Sequence, residues 1–287
     1  MSTEPRPLAI AVLGRGVIDP ETPVIQADDP GLLRGLAAFE TLRVYGGRAF
    51  ALREHLLRLS HSAERMGFAL PALDDLGALA REAITAAGEP DCSLRFTVTA
   101  GPPGQAPVAI AMAGAIPPGL EAVRAAGISL ITLGLGTDPR ARRGAPWLLD
   151  GVKSTSYAVN MAAHDEAVRR GADDAIFLAS DGTVLEGPTT NIWWRQDQSL
   201  YTPALDLGIL AGVTRAWVIR LADELGYDVQ EGWFGRPQMA AAEEVFTSSS
   251  VRELMPVVRL DGRPVGRGVP GPAAASLQAA LRRAAES

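Results

Sequence analysis

Apolar and polar residues alternate through the first third of the chain in short runs that are typical of strands, and two helical stretches interrupt them. Residues 8–14, 37–50, 92–101 and 107–114 are predicted strands, with Gly46-Gly47 as a hairpin turn. Residues 52–68 and 73–88 are predicted helices. The apolar face of the first helix is formed by Leu52, Leu56, Leu59, Ala63 and Met66.

The pattern breaks near Pro117-Pro118-Gly119, which is the best candidate for a linker. We therefore expect a smaller N-terminal α+β domain over residues 1–115, a linker over 116–126 and a larger C-terminal domain over 127–287. In that second domain we predict a helix that begins just after Lys153 and places Tyr157 and Met161 on one face. Further strands, a helix over residues 212–227 and a C-terminal helix from about Ala273 are also predicted.

Composition narrows the function classes. An apolar content of 47% is enough for a substantial core, and a net charge of −6 disfavours nucleic acid as a partner. The single Cys92 excludes a disulfide framework within the chain, and the three histidines have no ligand spacing, so we expect no metal. A small-molecule enzyme fits these bounds best.

No apolar run follows a basic region at the N-terminus, and no apolar stretch is long enough to cross a bilayer. We therefore expect a cytoplasmic protein without membrane contact.

Lys153 is the only lysine of the chain, beside twenty-six arginines. A lysine amine can lose its proton and act as a nucleophile or a base, whereas arginine stays charged in proteins. The lone lysine is therefore a candidate for imine chemistry, or else a remnant of a general replacement of lysine by arginine.

Three further features resemble parts of an anion or cofactor site. Glu186 ends an apolar strand in a segment without other charges, and either meets a cation or points to solvent. Gly212-Val213-Thr214 opens a helix, where backbone donors favour phosphate, although Thr214 also suits an ordinary helix cap. Thr247–Ser250 places four hydroxyls at a strand end, as a phosphate site or a polar turn.

Together with Arg58 on the first helix, these residues are the parts needed to hold pyridoxal 5′-phosphate. A lysine can bond the aldehyde, a carboxylate can keep the ring nitrogen protonated, and the remaining groups can bind the phosphate.

The motifs around these residues resemble the class IV aminotransferases, which are pyridoxal phosphate enzymes of fold type IV. The similarity runs through RGLAAFETLRVYGG, HLLRLSHSA, GVKSTSYAVNMAA, GTVLEGPTTNIW, GILAGVTR and TSSSVRELMPV. Members include branched-chain aminotransferase, D-amino-acid aminotransferase and aminodeoxychorismate lyase.

The resemblance implies a two-domain α+β fold with the cofactor between the domains, and a homodimer. It implies that Lys153 is the catalytic Schiff-base lysine and that Glu186 is the partner of the pyridine nitrogen. Tyr157 is a less regular match, since branched-chain enzymes have their tyrosine five residues after the lysine rather than four. The other implied cofactor-binding residues are Arg58, Thr189, Leu210, Val213, Thr214, Ser249 and Ser250.

The substrate pocket departs from the familiar patterns. The arginine with which bacillar D-amino-acid enzymes bind the substrate carboxylate is missing from Thr99-Ala100-Gly101-Pro102, and Phe39 stands where an assisting tyrosine would be. Because an arginine matches a carboxylate best, Arg34 and Arg95 are the replacement candidates, unless they face water.

We therefore hypothesise a transaminase that moves an amino group between D-amino acids and 2-oxo acids. Aminodeoxychorismate lyase, which makes 4-aminobenzoate and pyruvate, is the strongest alternative, and branched-chain transamination comes third.

Overall fold

Two units make up the chain, of which the computed structural model describes residues 6–141 and 144–286. The first unit comprises the described residues up to Pro117, together with Val152–Ser156 and Glu286. The second comprises the described parts of Pro118–Gly151 and Tyr157–Ala285. Among all these residues, no helix combines the length and the apolar character that crossing a lipid bilayer requires.

The first unit is a six-stranded antiparallel sheet with helices. Its elements are β1 (Ala9–Val12), β2 (Gly16–Ile18), α1 (Pro30–Arg34), β3 (Ala37–Tyr45), β4 (Arg48–Ala49), α2 (Leu52–Arg65), α3 (Leu73–Ala87), β5 (Cys92–Thr99) and β6 (Ala109–Gly114). The strands lie in the order β2-β1-β6-β5-β3-β4.

Local sequence signals account for most of this unit. Gly46 and Gly47 join β3 to β4 with φ of 54° and 77°, values that favour glycine, so the predicted hairpin is confirmed. Both predicted helices are present. The apolar face of α2 is buried in the core of this unit, where Leu56 and Leu59 belong to the same cluster as Leu42 of β3.

The second unit is built on a mixed sheet with the order β11-β10-β9-β12-β13-β7-β8, in which β14 pairs with β13. Its strands are β7 (Ile128–Gly134), β8 (Asp174–Leu178), β9 (Asn191–Gln196), β10 (Ser199–Pro203), β11 (Asp228–Gly232), β12 (Glu244–Ser249), β13 (Glu253–Leu260) and β14 (Arg263–Pro264). Its helices are α4 (Leu120–Ala126), α5 (Ala158–Arg169), α6 (Val213–Glu224), α7 (Arg236–Ala240) and α8 (Pro272–Glu286).

Both units combine helices with a sheet, so the predicted α+β class is confirmed. Helix α4 occupies much of the segment that was expected to be a linker. Helices α6 and α8 confirm the two helices predicted near Gly212 and Ala273.

The helix predicted to begin just after Lys153 is wrong in its start. Helix α5 begins at Ala158 with Tyr157 as its N-cap, and Met161 is exposed on it. The residues around Lys153 hydrogen bond to β3 instead, since the Phe39 amide donates to the Lys153 carbonyl at 3.0 Å and the Thr155 amide donates to the Ala37 carbonyl at 2.9 Å. These contacts connect residues far apart in sequence, and local periodicity cannot predict them.

Candidate active site

The lysine segment lies along the part of β3 that β4 leaves unpaired. Ala38 of β3 forms an antiparallel bridge with Ser154, and the Lys153 amide donates to the Ser62 hydroxyl of α2 at 3.1 Å. Main-chain bonds on both sides therefore fix the position of Lys153. Its Nζ lies 4.4 Å from the centroid of the Phe39 ring.

Arg95 lies on the same side of the sheet as Phe39. It belongs to β5, which is hydrogen bonded to β3 on one side and β6 on the other, so the alternative of an edge-strand arginine is wrong. Its Cζ is 4.1 Å from the Phe39 ring centroid, a cation–π distance. A guanidinium and the only lysine amine of the chain therefore meet on one buried aromatic ring.

Arg58 does not point into water. Its Nε and one Nη each donate to a different oxygen of Glu40 at 2.7 Å. His55, one turn earlier on α2, places Nδ1 2.7 Å from the same carboxylate. Glu40 is fully buried, because it follows Phe39 on β3 and faces the opposite side of the sheet, under α2.

The pKa values of Glu40 and His55 are both shifted in this cluster. Burial by itself would raise the pKa of Glu40, but the charge of Arg58 and the hydrogen bonds from Arg58 and His55 outweigh it and lower the pKa from 4.5 to about 2. Burial also lowers the pKa of His55 below its ordinary value, against the opposing effect of Glu40 and with added repulsion from Arg58 and Lys153. The carboxylate is therefore charged and the imidazole neutral near pH 7.

In the second unit, Glu186 is held by backbone and side-chain donors. The Leu210 amide donates to Oε1 at 3.0 Å, and Asn191 Nδ2 donates to Oε2 at 3.3 Å. The Phe177 amide donates to the main-chain carbonyl of Glu186 at 2.9 Å. Glu186 is half-buried, so the alternative of a carboxylate that simply points to solvent does not describe it.

The predicted phosphate-binding residues of the second unit lie at the N-terminus of α6 and at the end of β12. Gly212, not Thr214, is the N-cap of α6, and no side chain caps it within the described part of the chain. Val213 and Thr214 are the first two residues of the helix and are buried. The first amides of a helix lack partners within the helix, so this terminus can accept an anion.

At the neighbouring strand end, Ser249 closes β12 and Ser250 follows it in a turn, both half-buried. The Ser248 hydroxyl accepts a hydrogen bond from Trp193 Nε1 at 2.9 Å. The Ser248 hydroxyl therefore serves the core of the second unit.

The remaining predicted residues differ in exposure. Tyr157 is half-buried at the start of α5, Leu210 is half-buried beside Glu186, and Thr189 is exposed. Arg34 is exposed in the last turn of α1. Within the first unit, the structure thus gathers Lys153, Phe39 and Arg95, but it does not add Arg34 to that group.

Sequence reasoning missed Glu40, His55 and Asn191. Glu40 is the sole charged residue between Arg34 and Arg43, inside an apolar strand, and that isolation was the available signal. The signal for His55 is that it precedes Arg58 by one helical turn, which makes the two side chains neighbours on the predicted helix. Asn191 has the weakest signal, because a polar residue at the start of a strand is common.

A family model described as amino-transferase class IV matches residues 37–260. A bifunctional aminodeoxychorismate lyase / D-amino acid transaminase of Mycobacterium tuberculosis is 33% identical over 269 residues, which cover 90% of this chain and 93% of that protein.

Two solved structures are similar over nearly the whole chain. A fold IV transaminase of Curtobacterium pusillum has a TM-score of 0.87 and 31% identity, covering 96% of this chain and 98% of that one. A hypothetical aminotransferase of Mycobacterium tuberculosis in its pyridoxal phosphate-bound form has a TM-score of 0.89 and 32% identity, with the same two coverages.

Proposed function

This chain belongs to the class IV aminotransferases, and on that premise we propose that it transfers an amino group between a D-amino acid and a 2-oxo acid. It is an enzyme of fold type IV, and its cofactor is pyridoxal 5′-phosphate.

Each of the two units contains side chains that suit pyridoxal phosphate. The first unit offers an amine, Lys153, fixed by its backbone beside Phe39. The second offers a carboxylate with both oxygens hydrogen bonded, Glu186, and an uncapped helix start at Val213. We assign the covalent bond to Lys153, the ring nitrogen to Glu186 and the phosphate to Val213, Thr214, Ser249 and Ser250, with Arg58 as a further phosphate ligand.

When bound, pyridoxal phosphate supplies an electron-poor ring that withdraws electrons from the substrate α-carbon. Lys153, once released from its bond, accepts and returns the proton of that carbon, a task for which an amine that can lose its proton is suited. Glu186 keeps a proton on the ring nitrogen, and the bonds from Leu210 and Asn191 hold its oxygens in place.

The position of Arg95 is the observation that best supports an amino acid as the substrate. A substrate α-carboxylate needs a cationic host close to the reacting amine, and Arg95 and Lys153 lie on the same aromatic ring, 4.1 Å and 4.4 Å from its centroid. Thr99 is a poor host for the substrate carboxylate, because its hydroxyl already donates to the buried Asp29 at 2.5 Å. The D configuration is supported by the named activity of the Mycobacterium tuberculosis relative.

Arg34 is a proposed second cation for the substrate. Its exposure within its own unit makes it the weaker of the two assignments, and Arg95 is the primary host.

The second candidate function is that of aminodeoxychorismate lyase, which the name of the same relative also includes. Purified protein loaded with pyridoxal phosphate is incubated with D-alanine and 2-oxoglutarate, and separately with aminodeoxychorismate. We expect pyruvate and glutamate in the first reaction. Formation of 4-aminobenzoate in the second, without turnover in the first, would replace the proposal by the lyase; a third reaction with L-leucine and 2-oxoglutarate tests branched-chain transamination.

We also propose a homodimer, which exposed apolar residues on each unit support. Leu32 and Leu33 on α1 are 63% and 62% exposed, and Trp147 and Val159 of the second unit are 75% and 64% exposed. Large apolar side chains at the surface commonly mark protein interfaces. Light scattering on purified protein tests this, with a monomer at micromolar concentration as the contrary result.

A further inference from the structure

Asn191 closes a ring of hydrogen bonds with Glu186 and Leu210. Its Nδ2 donates to Glu186 Oε2 at 3.3 Å and to the Leu210 carbonyl at 3.0 Å, while the Leu210 amide donates to Glu186 Oε1 at 3.0 Å. An amide nitrogen has two hydrogens, so both of its bonds can form at once. Asn191 is 5% exposed, so its side chain is shielded from competing water.

This ring of hydrogen bonds also contacts the start of α6. Gly212, its N-cap, lies so close to Asn191 that a Cβ at position 212 would be 2.0 Å from Asn191 Oδ1 and 3.2 Å from its Cγ. The glycine therefore makes room for the asparagine, since its φ of −62° is one that any residue adopts. One side chain thus connects the carboxylate to the segment that leads into the helix N-terminus.

We infer that Asn191 is a positioning residue that fixes Glu186 against the ring nitrogen of the cofactor, and that Gly212 is a glycine because a side chain there would displace Asn191. Each Glu186 oxygen then has a donor that fixes its direction. The inference rests on pyridoxal phosphate as cofactor and not on D-amino acids as substrates.

Cofactor affinity without any substrate tests this role. Apoprotein is titrated with pyridoxal phosphate and with its 1-deaza analogue, in which carbon replaces the ring nitrogen, and tryptophan fluorescence reports binding. Loss of a hydrogen bond to a charged group typically costs about tenfold or more in an equilibrium constant. For Asn191→Ala we expect about that loss in affinity for pyridoxal phosphate and little loss in affinity for the analogue. The preference, which is the ratio of these two affinities, should therefore fall to that of Glu186→Ala.

Asn160→Ala is a matched control, because Asn160 Nδ2 of α5 donates at 2.6 Å to the carbonyl of Pro188, two residues after Glu186. The control should keep the preference of the wild type. Equal losses for both ligands in Asn191→Ala, or no loss at all, would overturn the inference.

Gly212→Ala supplies a second variant that leaves Asn191 in the sequence. Alone, it should reduce the preference as Asn191→Ala does. Added to Asn191→Ala, it should cost little more, because the main clash is gone and a 3.0 Å contact with Arg215 Cβ is what stays. Fully additive losses would show that Gly212 acts independently of Asn191 and would remove that half of the inference.

Discussion

Glu40 and Arg58 form a two-point ion pair, with both N–O distances at 2.7 Å and the carboxylate wholly buried. The pair fixes Arg58 before any ligand arrives, and it uses two of the five N–H donors of the guanidinium. Arg58 therefore has a structural role in addition to the phosphate-binding role proposed for it.

Arg58→Met is expected to destabilise the protein strongly, because it leaves Glu40 charged and without its main partner. Breaking a buried pair in this way typically costs about 3–5 kcal/mol. The free energy of unfolding, measured with urea on the cofactor-free protein, checks this. Cofactor-free protein is needed because a bound ligand adds its own stabilisation.

Glu40→Gln in the Arg58→Met background should recover a large part of that loss, since no buried charge then lacks a partner. If the losses of the two single variants simply add, the ion pair does not have the energetic role assigned here.

Acid unfolding should depend on Glu40. The pKa of its carboxyl is lowered from 4.5 to about 2 in the folded chain, so its contribution to stability is complete above pH 4.5 and is lost as the pH falls from 4.5 towards 2. Glu40→Gln should therefore be less stable at neutral pH and should show a flatter decline of stability over that interval. Urea unfolding at a series of pH values measures both, and parallel curves for wild type and variant would speak against the assignment.

Residue chemistry made part of the candidate site predictable. Lys153 is the only lysine, and Glu186 lies in an otherwise uncharged segment, so each could be proposed as a site residue without knowledge of the fold. The helices α2 and α3 and the Gly46-Gly47 turn follow from local periodicity and backbone preference.

The rest depends on contacts between distant segments. Glu40 meets Arg58 because β3 packs under α2, and Lys153 is fixed by β3 and not by a helix of its own. Asn191 reads as an ordinary residue at the start of a strand until its bonds to Glu186 and Leu210 are known. Sequence periodicity indicates which face of its own helix or strand a residue lies on. It does not indicate which other element that face will contact.

Arg95→Met should weaken substrate binding and spare the cofactor. Losing a charge-assisted bond to the α-carboxylate corresponds to a roughly tenfold to hundredfold rise in KM for the amino acid. Arg34→Met is the matched variant, with a smaller expected effect because of its exposure. Steady-state kinetics and cofactor titration separate the two properties; an unchanged KM in Arg95→Met would mean that another group binds the carboxylate.

Lys153→Arg should fold normally and lose turnover, because a guanidinium keeps a positive charge near Phe39 but cannot form the covalent bond to the cofactor. Mass spectrometry after borohydride reduction should find a pyridoxyl group on the peptide containing Lys153 in the wild type and none in the variant. Comparable thermal unfolding of the two proteins serves as the control for folding.

A single-turnover reaction shows whether the enzyme transaminates a D-amino acid. Protein loaded with pyridoxal phosphate is mixed with D-alanine, with no 2-oxo acid present, and both pyruvate and the state of the cofactor are measured. We predict one pyruvate per bound cofactor and conversion of that cofactor to pyridoxamine phosphate, with no comparable reaction of L-alanine. Unchanged cofactor and no pyruvate from D-alanine would contradict a D-amino acid transaminase.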